Sequence, residues 1–238
     1  MDGGSAMNPK EITLPLVEIF QTVEGEGGKA GFPTTFIRLY NCNLRCTWCD
    51  TPYSYAPHPP EKMLTVGEIL EQVKRWGNRH ICLTGGEPLL YRDKALALLQ
   101  ELAPLPFLED IHIETNGAID LLPFHRWRES SPHGWKIRFI MDFKLRSSGE
   151  RDKMILSNFL HLTDRDEIKF VISDRAEFDE ALSVVESAVR RGQILFSPEW
   201  NSLPPDRLVS WLLQQPRRDI RLNLQTHKYI WDPDRRGV

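Results

Sequence analysis

From residue 35 onward, short β-rich runs alternate with longer segments of helical period, and this alternation restricts the fold more than any other feature. The strand candidates are TFIRLY (35–40), HICLT (80–84), DIHIET (110–115), IRFIMDF (137–143), EIKFVI (167–172), QILFS (193–197) and IRLNLQ (220–225). Helix candidates lie between them. One starts near Thr65, which stands at capping-box spacing from Glu68, and another runs from about Pro88 to Ala103. A third covers about 175–191 with Asp174 as N-cap and Glu177 three residues on, and the last covers about 205–215. Parallel neighbours need crossover connections, so the pattern predicts an α/β fold with a parallel sheet and outer helices. Six or seven units are fewer than the eight of a closed barrel, which leaves a doubly wound sheet or an open, partial barrel. In both, ligands collect at the carboxyl ends of the strands. The cysteine-bearing segment after Tyr40, TGGEP (84–88), ETNG (114–117) and DFK (142–144) should therefore meet on one face.

Nothing rich in Pro or Gly divides the chain and no repeat is present, so residues 15–238 are expected to form one domain behind a flexible tail, residues 1–14. At 41% hydrophobic and 26% charged residues, the composition is that of a soluble globular protein. A formal net charge of -3 offers no electrostatic case for a nucleic-acid partner. No run of 18 apolar residues predicts a membrane span, and MDGGSAMNPK lacks the apolar centre of a signal peptide. The expected compartment is the cytoplasm. There, clustered cysteines are more often metal ligands or redox groups than disulfides.

Three of the four cysteines, Cys42, Cys46 and Cys49, fall in a C-x3-C-x2-C pattern. Structural zinc sites close a tetrahedron with four protein ligands, usually from paired C-x2-C knuckles. No second pair exists here, no histidine lies between 42 and 57, and Cys82 reads as a small buried apolar residue in a strand. Thiolates are also the ligands of iron–sulfur clusters, and a [4Fe–4S] cube normally takes four. Three on one loop can hold three irons and leave the fourth to an outside ligand. On spacing alone an incomplete zinc site or unrelated cysteines remain alternatives. The spacing resembles that of the radical S-adenosylmethionine superfamily, and Gly85-Gly86-Glu87-Pro88 after a strand resembles that superfamily's second motif. The resemblance implies that the open iron chelates the methionine amino and carboxylate groups, and that reduction releases a 5′-deoxyadenosyl radical. It implies S-adenosylmethionine contacts at Gly85, Gly86 and Glu87, with Trp48 near the adenine. Glycines would let backbone approach the ligand, and Glu87 could accept from its ammonium.

Phe20-Gln21-Thr22-Val23-Glu24-Gly25-Glu26-Gly27, Phe36-Ile37-Arg38-Leu39, Cys49-Asp50-Thr51 and Leu224-Gln225-Thr226-His227-Lys228 together resemble the 7-carboxy-7-deazaguanine synthase family. Read without it, residues 18–27 are a glycine-rich loop carrying carboxylates, either a turn or a polar-ligand loop. The resemblance runs from about Pro15 to the end and implies a modified radical S-adenosylmethionine core, an open partial (β/α) barrel of about six parallel strands. It implies contraction of 6-carboxy-5,6,7,8-tetrahydropterin to 7-carboxy-7-deazaguanine with loss of ammonia, the radical taking hydrogen from C6 and S-adenosylmethionine being regenerated. By matching positions, Val23, Glu24, Gly25, Asp50, Thr84, Gln225 and His227 would contact substrate, and Arg38 would pair with its carboxylate. Thr51 would bind Mg²⁺. Glu114, Asp142, Phe143, Lys144 and Ser197 would contact S-adenosylmethionine. Glu24 stands where many members have Gln, and Asp142-Phe143-Lys144 where many have Ser-Pro-Lys. The family also implies a homodimer and flavodoxin or ferredoxin as electron donor. Two other readings are a radical activase acting on a protein partner and a non-catalytic iron–sulfur module.

Overall fold

The computed structural model describes residues 8–238. Nine strands form one sheet: β1 (Thr13–Val23), β2 (Pro33–Leu39), β3 (Lys62–Thr65), β4 (His80–Gly85), β5 (Asp110–Thr115), β6 (Ile137–Asp142), β7 (Glu167–Ile172), β8 (Gln193–Pro198) and β9 (Ile220–Leu222). Their order is β3-β1-β2-β4-β5-β6-β7-β8-β9. From β2 to β9 all neighbours are parallel. A doubly wound sheet reverses its strand order partway. Here the parallel strands follow one another in chain order, and β3 and β9 remain at free edges. The fold is therefore an open, partial barrel.

The helices α1 (Val66–Trp76), α2 (Arg92–Leu102), α3 (Leu122–Ser130), α4 (Arg175–Ala188) and α5 (Pro205–Gln214) supply the crossovers, and a single turn, α6 (His227–Ile230), follows β9. The Thr65–Glu68 capping box starts α1 as expected, with Thr65 N donating to the Glu68 carboxylate at 2.7 Å and Glu68 N donating to Thr65 Oγ1 at 3.2 Å. Asp174 caps α4 by accepting from Glu177 N at 2.8 Å. Alternation along each strand sorts its side chains. Ile81, Leu83, Ile111, Ile113, Phe139, Ile168, Phe170 and Phe196 face the helices and build the core with Ile69, Val73, Leu98, Leu99 and Phe178. The opposite face carries His80, Cys82, Thr84, His112, Glu114, Arg138, Asp142, Glu167 and Lys169. A polar interior of this kind is the wall of a site, not a packing surface.

The structure corrects several expectations. Residues 18–23 are not a loop but the second half of β1, antiparallel to β2, with Glu18 opposite Arg38. Polar residues at 18, 21 and 22 hide this strand because they interrupt its apolar run. Strand β3 and helix α3 were also not anticipated; α3 is tied down by a bidentate pair from Arg128 NH1 to Asp166 at 2.8 and 2.9 Å. The expected tail divides: residues 1–7 lie outside the described residues, whereas Pro9–Glu11 form a 3-10 turn and β1 begins at Thr13. Between β6 and β7 the crossover consists of 3-10 turns at Arg146–Ser148, Arg151–Lys153 and Leu156–His161. No helix is long and apolar enough to cross a membrane among the described residues.

Candidate functional site

A cleft of about 210 Å³ opens at the carboxyl ends of β2 and β4 to β7, where the four segments expected to meet do meet. Cys42, Cys46 and Cys49 line it together with Trp48, Asp50 and Thr51, and Thr84, Gly85 and Gly86 face them from the end of β4. Glu114, Asp142 and Lys144 close the next side. Val23, Glu24, Gly25, Arg38, Gln225 and His227 complete the wall. Three expected residues are elsewhere. Glu87 and Ser197 are buried behind the wall, and Phe143 is a core residue packed 5.5 Å from both Phe159 and Phe170.

The cysteine loop is held by backbone. Asn41 sits at φ 80°, a left-handed conformation that Asn tolerates, and its side chain accepts from Cys42 N at 2.9 Å. Gly86 N donates to Leu39 O at 3.2 Å, and Glu87 N to Asn41 O at 2.9 Å. A Cβ on Gly85 would lie 2.3 Å from Leu39 O, and one on Gly86 would lie 2.4 Å from Asn41 O and 2.7 Å from Cys42 Cβ. The two glycines therefore make room for the root of the cysteine loop itself, where the sequence suggested room for a ligand. Glu87 is the second bracket. Its carboxylate accepts from Asn116 N at 2.7 Å, Leu89 N at 3.0 Å and Thr115 Oγ1 at 3.1 Å, tying β4 to β5 rather than facing a ligand. Burial pushes Glu87 up to about 7, against the pull of those donors.

Burial also raises the Cys42 thiol, and the Cys46 thiol to about 11, so a bound cation must displace their protons. Cys42 Sγ accepts from Leu44 N at 3.4 Å and from Asn116 Nδ2 at 3.7 Å. Cys82 is fully buried in β4 and does not line the cleft. Three thiols without a fourth in the cleft fit a cluster that keeps one iron open. Beside them, Lys144 Nζ sits 4.8 Å from the Trp48 ring centre and donates to Asp142 Oδ2 at 2.8 Å. Asp142 Oδ1 is buried with no partner among the described residues. An unpaired acceptor beside an aromatic face and an ammonium fits a polar, aromatic ligand such as a nucleoside amino acid.

The far wall is held by charge. The loop after β1 turns into the barrel, where Glu24 Oε2 lies 2.7 Å from His112 Nε2 and Glu26 Oε2 accepts from Lys169 Nζ at 3.2 Å. Glu26 also accepts from Asn223 Nδ2 at 2.9 Å and Gln225 Nε2 at 3.0 Å. Thr226 N and Oγ1 both donate to Gly25 O, at 3.0 and 2.9 Å. His227 packs so tightly that a Cβ on Gly25 would be 2.4 Å from its Nδ1. Burial lowers the His227 pKa, favouring the neutral ring. Arg38 donates from Nε to Glu18 at 2.9 Å, and among the described residues its other two nitrogens make no hydrogen bond. Thr84 Oγ1 donates to Glu114 Oε2 at 2.9 Å, and burial raises Glu114 above the usual carboxylate range.

Sequence reasoning passed over Glu26, Lys169, Asn116 and Lys228, all of which line the cleft. Lys169 had a signal: a cation in the middle of the apolar run EIKFVI, on the same face as Glu167. Burial opposes its charge, but Glu26, Asp142 and Glu114 raise its pKa well above that of an ordinary lysine.

Comparison with known proteins agrees with this geometry. Residues 36–129 match the model of the Radical SAM superfamily. The 7-carboxy-7-deazaguanine synthase of Leptospira interrogans is 37% identical over 93% of this chain and 96% of its own. That of Clostridium acetobutylicum is 35% identical over 95% and 100%, and that of Koribacter versatilis 32% identical over 94% and 100%. The crystal structure of QueE from Escherichia coli superposes with a TM-score of 0.67, covering 90% of this chain and 95% of that one at 23% identity. The nine-stranded open barrel, the three-thiol loop and full-length similarity at these identities lead to one assignment: the chain belongs to the 7-carboxy-7-deazaguanine synthase family of the radical S-adenosylmethionine superfamily.

Proposed function

We propose that this chain converts 6-carboxy-5,6,7,8-tetrahydropterin to 7-carboxy-7-deazaguanine with release of ammonia, in the cytoplasm and as a step toward queuosine or a related deazapurine. The observation that carries this reading is Arg38. Its guanidinium is half-buried in the cleft, anchored through Nε, and keeps two unengaged nitrogens there among the described residues. That fork matches a carboxylate in two-point geometry. Residues 15–238 act as the catalytic domain.

Cys42, Cys46 and Cys49 would hold the [4Fe–4S] cluster. When bound, cluster and S-adenosylmethionine supply a 5′-deoxyadenosyl radical. Gly85 and Gly86 keep the cluster loop in place, Trp48 and Lys144 border the nucleoside, and Asp142 Oδ1 and Glu114 offer acceptors to its hydroxyls or ammonium. Glu87 supports this side indirectly by joining β4 to β5. Thr51 is a hard oxygen ligand suited to Mg²⁺, which takes few protein ligands and completes its shell with water and substrate oxygens. Asp50 would orient that shell. Val23 to Gly25 and Gln225 to His227 form the opposite wall against the pterin, and Thr84 borders it. Loss of ammonia needs a proton at the leaving nitrogen, and a carboxyl of raised pKa such as Glu114 is suited to hold one. The working form is a homodimer reduced by flavodoxin or ferredoxin.

Anaerobically reconstituted protein with S-adenosylmethionine, a reductant and the tetrahydropterin should yield deazapurine and ammonia in equal amounts, with S-adenosylmethionine not consumed in proportion. Release of 5′-deoxyadenosine without either product would redirect the assignment to another radical enzyme.

A further inference from the structure

Behind the cleft, a buried chain of charges begins and ends on the same short loop. Glu24 Oε2 is 2.7 Å from His112 Nε2, and His112 Nδ1 is 2.9 Å from Asp110 Oδ2. Asp110 accepts from Arg138 Nε at 2.5 Å and NH2 at 3.1 Å, and Arg138 NH1 donates to Glu167 Oε1 at 2.8 Å. Glu167 Oε1 then accepts from Gly28 N at 2.9 Å. All five side chains are buried, His112 completely. Carboxylates at both ring nitrogens of His112 demand two N–H donors, which is the imidazolium. Burial opposes that charge, but the Asp110 and Glu24 carboxylates at the two ring nitrogens raise its pKa well above the ordinary value. Glu24, Cys82 and His112 place ligand atoms within 4.8 Å of one another, yet both His112 nitrogens are already spent on carboxylates, so the trio is not a metal site.

The other oxygen of Glu24 accepts from Gly25 N at 2.9 Å and Glu26 N at 3.2 Å. The carboxylate expected to read the substrate is thus turned inward and pins the loop that carries it. Buried ion networks rarely add net stability over apolar packing, so their gain is sought in fixing one conformation.

We propose that His112, bracketed between Asp110 and Glu24, is a positioning residue that fixes loop 24–28 in the conformation receiving the pterin. The loop's backbone, not the Glu24 carboxylate, then presents the donor–acceptor edge to substrate. This rests on the reading of 6-carboxy-5,6,7,8-tetrahydropterin as substrate, and wild-type turnover tests that reading separately.

The test uses reconstituted holoenzyme of wild type, H112Q and the double variant E24Q/H112Q. Each is assayed for the KM of the tetrahydropterin and for substrate-free reductive cleavage of S-adenosylmethionine. H112Q should raise KM by about tenfold or more, as expected for loss of a charged hydrogen bond, with cleavage within about twofold of wild type. The double variant restores a neutral amide pair and should recover part of the KM. A wild-type KM in H112Q, or parallel loss of KM and cleavage, overturns the proposal. If H112Q does not fold, D110N is assayed in its place, with the same outcomes deciding.

Discussion

The two walls of the cleft are built by different physics. On the cysteine side, backbone touches backbone: Gly85 and Gly86 abut Leu39 and Asn41 with no room for a Cβ, and the amides of 86 and 87 are spent on that contact. On the opposite side, charged side chains meet across the barrel interior: Glu24 with His112, Glu26 with Lys169, and Arg138 with Asp110 and Glu167. The first wall is stiff and tolerates little change in volume. The second depends above all on keeping its charges, because each ion is buried against a partner. A cluster loop needs fixed sulfur positions, whereas a polar heterocycle needs fixed donors and acceptors. Each wall has the construction suited to its task.

The comparison can be broken first at the thiols. Cys42→Ala, Cys46→Ala or Cys49→Ala should each abolish cluster loading, read as iron per chain and visible absorbance, and turnover with it. Retained turnover in any of the three would remove the cluster from the account. Next is Gly86→Ala, whose Cβ meets Asn41 O at 2.4 Å. Overpacking of this kind costs about 1–3 kcal/mol, and a displacement of the loop by about 1 Å lowers turnover by about a hundredfold. Chemical denaturation and steady-state rates check the two effects.

On the charged wall, Lys169→Met keeps volume but leaves Glu26 buried without its ammonium and Asp142 with Lys144 alone. Unfolding in urea should show a loss of about 3 kcal/mol, partly recovered by E26Q. An unchanged midpoint would mean that the charges there are not coupled. The last test is a pH dependence on the backbone wall. Glu87, raised from 4.5 to about 7, favours folding in its protonated form. Its contribution is complete below the unfolded pKa and is lost as pH rises through about 7, at a slope of about 1.4 kcal/mol per pH unit between the two. Thermal midpoints of wild type should fall from pH 5 to 7 relative to E87Q. Parallel profiles for the two proteins would show that Glu87 does not titrate there.

Much of the first wall was legible in the chain because its residues are contiguous. The spacing of Cys42, Cys46 and Cys49 and the run TGGEP are local patterns, and the parallel strands announce themselves as apolar runs. Local patterns did not reveal that Gly86 and Glu87 also touch Asn41 and Asn116, neighbours that only the folded chain supplies. The second wall was harder to read because its pairs are remote in sequence: Glu26 and Lys169 are 143 positions apart, and Glu24 and His112 are 88 apart. Strand β1 was hidden for a related reason. Glu18 and Gln21 break its apolar run, and Glu18 is paired with Arg38 across the antiparallel contact with β2.

The central claim, that both ligands meet between these walls, is tested most directly by a crystal structure of reconstituted protein with S-adenosylmethionine and the tetrahydropterin. The methionine end should lie at the cysteine loop and the substrate carboxylate on Arg38. The pterin edge should lie on the backbone of 23–25, with C6 about 3.5 Å from the 5′ carbon. A pterin bound away from Arg38, or with C6 out of contact with the 5′ carbon, would contradict it.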